Sequence, residues 1–301
     1  MATLSTVKPA LKFNKGITAY FAIIHVIALL GFTSFGFSWS AVAVALFMHW
    51  LTASIGICLG YHRYLTHRGM DLPKWLAHFV VLCGALACQN GPIKWASQHR
   101  MHHAGSDTDR DPHSAKDSLL WAHWGWMLFT HPEFDNKEII NNYAKDITCD
   151  KFYLFLEKYF VHIQVAFGLI LGAIGGLPWV IWGVFVRLVV VYHGTWFVNS
   201  AAHAWGYKNF QLENDLSTNC WWVGLIAYGE GWHNNHHAYP KSARHGLRPW
   251  EIDMTWMAIC FLRMLGLAKN IKVAKLTRVP QEKLSSADDN SFSAEIVKLA
   301  A

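Results

Sequence analysis

The sequence predicts an all-α integral membrane protein: four transmembrane helices in two hairpins, with a cytoplasmic helical cap that carries a polyhistidine site for two metal ions. Two long tracts, Gly16–Tyr61 and Tyr159–Tyr207, contain Arg187 as their single charged residue. They therefore lack the polar stripe of a soluble amphipathic helix. Hydrophobic residues make up 53% of the 301-residue chain and charged residues 15%, a balance that excludes disorder. The 18 histidines equal the phenylalanines in number, and this excess indicates where function lies.

Each uncharged tract is long enough for two membrane spans, because one span needs about 20 apolar residues. The sequence predicts the first hairpin from spans near residues 18–35 and 38–61, and the second from spans near 160–174 and 178–203. The turns fall at Phe35–Phe37 and Gly175–Pro178, where glycine and proline interrupt the helical pattern. Four spans follow from two tracts.

Basic residues lie just before the first span and just after the second, at the end of the hairpin opposite its turn. Neither of the two hairpin turns carries Lys or Arg. The positive-inside rule then places both termini and the long polar segments in the cytoplasm. Residues 1–278 form one membrane domain, whose cap comprises residues 62–159 and 204–278. The apolar stretch Trp75–Cys88 is too short to span and is predicted to be a buried or interfacial helix. The polar, Ser-rich tail 279–301 is predicted to be mostly disordered.

Charge and cysteine content narrow the function classes. The formal net charge of +6 suits an anionic membrane face, and no nucleic-acid-binding motif is present, so no nucleic-acid partner is expected. The six cysteines form no C-x-x-C pair and are predicted to be reduced thiols.

Three histidine clusters stand beside apolar segments: HRYLTH at 62–67, HRMHH at 99–103 and HNNHH at 233–237. In the second and third clusters, the i, i+3, i+4 spacing lets imidazoles converge on one helix face. His62 and His67 are five apart, so either the second span ends between them or they bind different ions. Asn199 and His203, four apart at the end of the last span, are expected to contribute as well. The predicted metal ligands are His62, His67, His99, His102, His103, His203, His233, His236, His237 and Asn199.

Nine imidazoles exceed what one ion can take, so the sequence predicts two neighbouring metal ions. Imidazole binds iron, zinc, copper and nickel, and the ligand type alone leaves the metal open. The clusters contain no carboxylate at ligand spacing. The nearby Asp107, Asp111 and Glu230 are therefore predicted to cap helices and to orient ligand imidazoles through hydrogen bonds.

The chain resembles the membrane fatty acyl desaturases of the delta-9 type over roughly residues 18–267. The resemblance rests on the three histidine clusters, on NSAAH at Asn199–His203 and on DTDRDPH at Asp107–His113. The resemblance implies two non-haem iron ions held by the nine histidines, with Asn199 acting through a water. It also implies that O2 and two electrons are used to insert a cis double bond, at the delta-9 position, into a saturated sixteen- to eighteen-carbon chain. A hydroxylase or ketolase of the same polyhistidine superfamily is an alternative.

The resemblance extends to an acyl tunnel. Gln89, Trp95, Thr195 and Trp196 match residues that shape its bend in the family, although ordinary helix-end packing would also explain them. Trp50 and Ser54 fall where the family closes the far end of the tunnel, and a bulky Trp50 would limit the length of the chain. These assignments follow from the resemblance alone.

The sequence departs from the acyl-coenzyme A members of the family at the headgroup. Those members carry an Arg-Asp pair before the second histidine cluster, where this chain has Ser97-Gln98. They also have basic residues before the following His-Pro, where this chain has Leu128-Phe129-Thr130. Because a polyanionic headgroup requires several fixed cations, the departures favour an acyl chain on a glycerolipid or a carrier over the coenzyme thioester.

Electrons must come from a separate protein, such as a ferredoxin or a b-type cytochrome, because the chain has no G-x-G-x-x-G motif and no haem-binding domain. Residues 208–278 contain nine basic and five acidic residues, a balance that could attract an acidic donor or anionic lipid headgroups. A different class of function, a histidine-lined metal transporter, would place its ligands near the membrane midplane. In this chain the histidine clusters lie at the ends of the predicted spans and beyond them, which disfavours the transporter.

Overall fold

The computed structural model describes residues 11–275, and within them the regular secondary structure is almost entirely helical. Two short strands, β1 (Lys12–Phe13) and β2 (Phe129–Thr130), pair antiparallel and join the start of the described chain to its middle. The predicted polar tail, 279–301, lies outside the described residues. The all-helical architecture predicted from the sequence agrees with this fold.

The longest helices are α1 (Lys15–Leu29), α2 (Trp39–His49), α7 (Lys151–Val180) and α8 (Arg187–Asn199). Two π-helical segments, Trp50–Thr66 and Ile181–Val186, continue α2 and lead into α8. The remaining helices are α3 (Lys74–Ala85), α4 (Pro92–Ala104), α5 (Leu119–His123), α6 (Lys137–Tyr143), α9 (Trp221–Ile226), α10 (His233–Ala238) and α11 (Met254–Met264), with 3-10 turns at Leu30–Phe32, Gly125–Leu128 and Ala201–His203.

Three helical stretches are long and apolar enough to cross a membrane: Lys15–Phe32, Trp39–Thr66 and Lys151–His203. They overlap the four predicted segments, but the helix bounds differ, since the helices begin at 15 and 151, the first stretch ends at 32 and the second continues to 66. Side-chain caps explain the early starts. Asn14 Oδ1 accepts a hydrogen bond from the Ile17 amide at 3.1 Å, and Asp150 Oδ1 accepts one from the Phe152 amide at 2.8 Å.

The stretch Lys151–His203 reverses direction at Gly176. Gly176 has a φ of 68°, in the left-handed region that glycine adopts without strain. Beyond it, Arg187 donates a hydrogen bond to Gln164 Oε1 at 2.7 Å, across 23 positions of sequence. A straight helix would separate these residues by about 35 Å. The stretch is therefore a helical hairpin, and the chain reverses where the Gly175–Pro178 turn was predicted.

Arg187, the single charge in its tract, is buried and joins several elements of the bundle. Its guanidinium donates to the carbonyls of Gly183 at 2.7 Å and Leu86 at 2.8 Å, and to Thr52 Oγ1 at 3.2 Å, in addition to Gln164. A buried cation must be hydrogen-bonded to be tolerated. These bonds hold α8 against α7, α3 and the first π segment, the elements that surround the histidine clusters.

The apolar stretch at Trp75–Cys88 forms α3, which is too short to cross a membrane. It packs against the first π segment at Gly56 and Gly60, where an added Cβ would lie within 2.7 Å of the α3 backbone. On its other face, Trp75 and Phe79 are 63% and 47% exposed. This half-covered apolar helix agrees with the predicted buried or interfacial position.

Candidate metal centre

The first π segment brings His62 and His67 together. The His67 amide donates to the His62 carbonyl at 3.1 Å, an i to i+5 hydrogen bond. Because π-helical bonding returns to the same face after about five residues, the two rings lie 4.8 Å apart by their centroids. The helix ends at Thr66, with His67 as its C-cap, so the prediction that it ends between these two histidines is confirmed. Both histidines also belong to one group of neighbouring ligand atoms, which agrees with this alternative and not with the one in which they bind different ions.

The first group contains five predicted ligands whose nitrogens lie within 4.8 Å of one another: His62, His67, His99, His103 and His236. Four Nε2 atoms form a closed ring, with separations of 2.9 Å (His62 to His99), 3.0 Å (His99 to His103), 2.9 Å (His103 to His236) and 3.1 Å (His236 to His62). Ligand nitrogens on one ion, with metal–nitrogen bonds of about 2.1 Å at right angles, are separated by about 3 Å. The ring has the dimensions of a metal-ligand set.

The second group consists of His102, His203, His233 and His237. Within residues 11–275, the buried Nε2 atoms of His203 and His237 have no hydrogen-bond partner, and neither does His67 Nε2 in the first group. Leaving buried polar nitrogens unpaired is costly, and a bound cation would satisfy them. The groups adjoin, since the His103 and His237 rings have centroids 4.6 Å apart.

Asn199 lies between the groups. Its side chain lines the cavity that also exposes His62, His99, His102 and His233. The structure thus brings all nine predicted histidines into two adjoining sets and places the predicted amide beside both.

The three predicted orienting carboxylates each face the Nδ1 atom of one ligand histidine. Where Nδ1–H donates to the carboxylate, as at His102 and His203, the Nε2 lone pair points into the group. The pairs are His62 with Glu230 at 2.7 Å, His102 with Asp111 at 2.9 Å and His203 with Asp107 at 2.8 Å.

The electrostatics of the site favour neutral imidazoles at His99, His103 and His236 and an ionised carboxylate at Asp107. Burial, followed by the charges of neighbouring imidazoles, holds the pKa values of His99, His103 and His236 well below their usual range. Burial opposes ionisation of Asp107, but the hydrogen bond and charge of His203 outweigh it and lower the pKa of Asp107 to about 2. Neutral imidazoles with free lone pairs bind borderline transition metals. The residues present fit two such ions.

Three functional residues were not selected from the sequence. Asp215 Oδ2 accepts from His237 Nδ1 at 2.6 Å, and so gives the second group another oriented ligand. His245 Nδ1 lies 3.0 Å from Glu230 Oε2, and His113 Nδ1 lies 3.4 Å from Asp111 Oδ1. His113 follows Asp111 by two positions, a local signal. No such local signal marks Asp215 or His245, because loops distant in sequence bring them to their partners.

Replacing Asp215 with asparagine should weaken metal binding in the second group. The amide cannot hold the His237 ring as the carboxylate does, and loss of such a partner typically costs about 10- to 100-fold in metal affinity. Metal retention is measured by elemental analysis after graded chelator dialysis. Asp109→Asn, which changes an exposed carboxylate nearby, is the matched control. Equal retention in the two variants would contradict the role of Asp215.

A cavity in two adjoining parts passes the histidine groups. Its outer part, about 400 Å³, is lined by all four residues predicted at the bend: Gln89, Trp95, Thr195 and Trp196. Gln89 Nε2 donates to Thr195 Oγ1 at 2.8 Å, which ties the two sides of the bend together. Trp95 and Thr195 also line a narrower inner part of about 60 Å³. The two parts therefore adjoin at Trp95 and Thr195, beside the ligand His99, which also lines both.

The far end of the cavity corrects the prediction for Trp50 and Ser54. The Trp50 side chain is 42% exposed on the outside of the helix, and Ser54 is buried near Thr255. Neither lines the inner cavity, which instead reaches His49 on this helix. A 2.7 Å hydrogen bond joins His49 Nδ1 to the hydroxyl of Tyr228, which lies behind the cavity wall. Lining positions on this helix are His49, Ala53, Ile57, Cys58 and His62. They recur every four to five residues, since π-helical bonding shifts the face away from 50 and 54.

Comparison with known proteins agrees with this geometry. The model of the fatty acid desaturase family matches residues 17–256. An sn-1 stearoyl-lipid 9-desaturase of Synechocystis sp. is 54% identical over 266 residues, which cover 88% of this chain and 82% of that protein. An sn-1 stearoyl-lipid 9-desaturase of Anabaena variabilis is 50% identical over 91% of this chain and 98% of its own. An sn-2 palmitoyl-lipid 9-desaturase of a Nostoc species is 49% identical over 84% and 88%. With the histidine clusters inside the matched region, the chain belongs to the fatty acid desaturase family.

Proposed function

We propose that this chain is an O2-dependent acyl-lipid desaturase that inserts a cis double bond, at the delta-9 position, into a saturated sixteen- to eighteen-carbon chain on a glycerolipid. The observation that carries the proposal is the largely apolar cavity that passes two adjoining histidine groups. The names of the three relatives, each a lipid 9-desaturase, support the substrate class and the position of the bond.

The chain spans the membrane four times in this proposal, with both termini and the histidine groups on the cytoplasmic side. The spans are α1, α2 with its π segment, and the two arms of the hairpin around Gly176. Support comes from the basic residues beside the outer ends of the first hairpin and from turns that carry none. The histidine groups lie at the ends of these helices that face the cap.

The nine histidines would hold two iron ions, with Asn199 positioned to act through a water. Bound iron supplies, with O2, the oxidising chemistry that inert methylene C–H bonds require. The side chains themselves fix where that chemistry acts. Glu230, Asp107 and Asp111 hold ligand rings in one orientation, and burial excludes competing water.

The wall of the cavity selects the carbon pair. An acyl chain has no polar handle near its middle, so the protein must position it by shape. The Gln89 to Thr195 hydrogen bond keeps the bend rigid beside Trp95, whose ring stacks on His99 at a centroid separation of 5.2 Å. A chain threaded past Trp95 would be bent at the ligands, as formation of a cis bond requires.

Lipid profiling after expression in a host that makes only saturated chains tests the proposal. Mass spectrometry should show a new cis bond at the ninth carbon of chains esterified to glycerolipid, in the presence of a matched electron donor. Hydroxylated or ketonic products, or saturated lipids throughout, would contradict the assignment.

Purified chain should contain two iron atoms. Nine histidine nitrogens in two sets can saturate two ions, and neither set includes a carboxylate among its members. Elemental analysis and Mössbauer spectroscopy of protein prepared without added metal provide the measurement. A stoichiometry near one, or full activity with zinc alone, would show that the ligand sets are misassigned.

His49→Ala should let the enzyme accept longer chains. Removing the ring opens volume at the closed end of the inner cavity, and each added methylene accommodated there is worth about tenfold in relative turnover. Supply sixteen- to twenty-carbon chains together and measure product ratios. Trp50→Ala is the matched control, because Trp50 lies outside the cavity. A changed product ratio in the Trp50 variant, with an unchanged ratio in the His49 variant, would instead place Trp50 at the end of the cavity, as the sequence predicted.

A further inference from the structure

A groove of about 690 Å³ adjoins the first histidine group and shares no lining residue with either part of the acyl cavity. The same helix contributes to both. Its residues His49, Ala53, Ile57, Cys58 and His62 line the inner cavity, whereas Thr66 and the following His67 and Arg68 line the groove. His103, another member of the first group, also forms part of the groove wall. The candidate metal centre therefore lies between the acyl cavity and this groove.

The groove is strongly basic. Among the described residues that line it, five are basic and none is acidic: Arg68, Arg100, Lys241, Lys272 and Lys275. Asp146 stands beside it and pairs with Arg68 and Arg100, the latter at 2.7 Å. Lys241, Lys272 and Lys275 have exposed side chains. One carboxylate beside five basic side chains leaves the groove with a net positive charge. We call its three exposed lysines the rim; the ligand histidines His67 and His103 line the same groove.

We propose that this groove is the docking site of an acidic one-electron carrier protein, an inference that rests on the proposed desaturase function. The reaction balances as one saturated acyl chain, one O2, two electrons and two protons giving one unsaturated chain and two waters. Two oxidised C–H bonds supply two of the four electrons that O2 takes up. The other two come, one at a time, from reduced carriers, which become oxidised.

The geometry favours this face for electron entry. A carrier seated in the groove contacts the edges of His67 and His103 directly, so no further cofactor is needed between its redox centre and the ligands. The acyl chain occupies the opposite side and need not leave during reduction. The lysine rim attracts acidic proteins over distances comparable to the Debye length, about 10 Å at moderate salt.

The test uses the full-length chain in nanodiscs of neutral lipid and an acidic [2Fe–2S] ferredoxin as the probe. The Lys241→Glu/Lys275→Glu variant reverses two rim charges that are distant from the reacting atoms. Lys137→Glu, which reverses an exposed lysine on α6 outside the groove, is the matched control. Binding is measured directly as a Kd over a salt series, and turnover is measured with ferredoxin and with dithionite.

Docking in the groove predicts that the double variant raises the Kd for ferredoxin by at least about tenfold at low salt, because like charges then face each other. The KM for ferredoxin rises in parallel, while dithionite-driven turnover and the Lys137 variant match the parent chain. An unchanged Kd in the double variant would overturn the proposal. So would a loss of binding to anionic vesicles without any loss of ferredoxin binding, which would make the rim a lipid contact. The Kd measurement requires no turnover, so failure of the desaturase assignment would appear separately, in the lipid profile.

Discussion

Replacing His103 or His236 with alanine should reduce desaturation to the detection limit. Each Nε2 atom belongs to the ring of four nitrogens spaced about 3 Å apart, so either change removes one ligand and opens the set. An oxidising metal centre with an incomplete ligand set cannot hold its ion in the geometry that the reaction needs. Product formation is measured by mass spectrometry, and iron content by elemental analysis of the same preparations.

His162→Ala provides the control, because this exposed histidine lies on α7 away from both ligand groups. It should retain activity and two irons. Membrane insertion, followed by protein yield and thermal melting in detergent, separates a lost ligand from a lost fold. Normal activity in the His103 and His236 variants would show that the convergence of these nitrogens serves packing alone.

Acyl-glycerolipid should be desaturated at least about tenfold more efficiently than the matching acyl-coenzyme A. Ser97 is buried and donates to the Ile140 carbonyl at 2.6 Å, and Gln98 donates to the Phe134 carbonyl at 3.0 Å. Lys94 lines the outer cavity, but Asp135 neutralises it at 2.7 Å. A polyanionic headgroup needs several free cations, and Lys94 is the only Lys or Arg among the described residues that line the outer cavity. Values of kcat/KM for the two substrates, with one electron donor, provide the comparison.

Asp135→Asn sharpens the test, since it frees the charge of Lys94 while preserving the size of the side chain. Turnover of the coenzyme thioester should rise in this variant and fall again as salt screens the lysine. Turnover of the glycerolipid should change little. Efficient, salt-resistant use of the thioester by the unmodified chain would place its headgroup elsewhere and refute the substrate assignment.

Sequence reasoning located the parts of the site that local spacing encodes. His99, His102 and His103 share one helix face, so their convergence follows from helix geometry before any tertiary contact is known. The Gly175–Pro178 turn was equally visible, because glycine and proline interrupt a long apolar run. Asp215 could not be found this way, since tertiary folding brings it across 22 positions to His237.

Trp50 illustrates a different limit. Its placement rested on the family resemblance, whereas the segment from Trp50 to Thr66 has π-helical bonding, and His49 and Ala53 line the cavity on this helix. The same bonding unites His62 with His67 and removes the need to assign them to different ions. Side-chain composition does not reveal this change of hydrogen-bond register in advance.

The π segment links two properties that could otherwise vary independently. The closed end of the acyl cavity at His49 and the ligand pair His62 and His67 share one continuous helical register. Deleting a single residue between them would rotate one end relative to the other by roughly 80–100°. Relatives with different chain-length preferences should therefore differ in this segment by substitution and keep its length, because an insertion or deletion that reshaped the cavity would also displace a metal ligand.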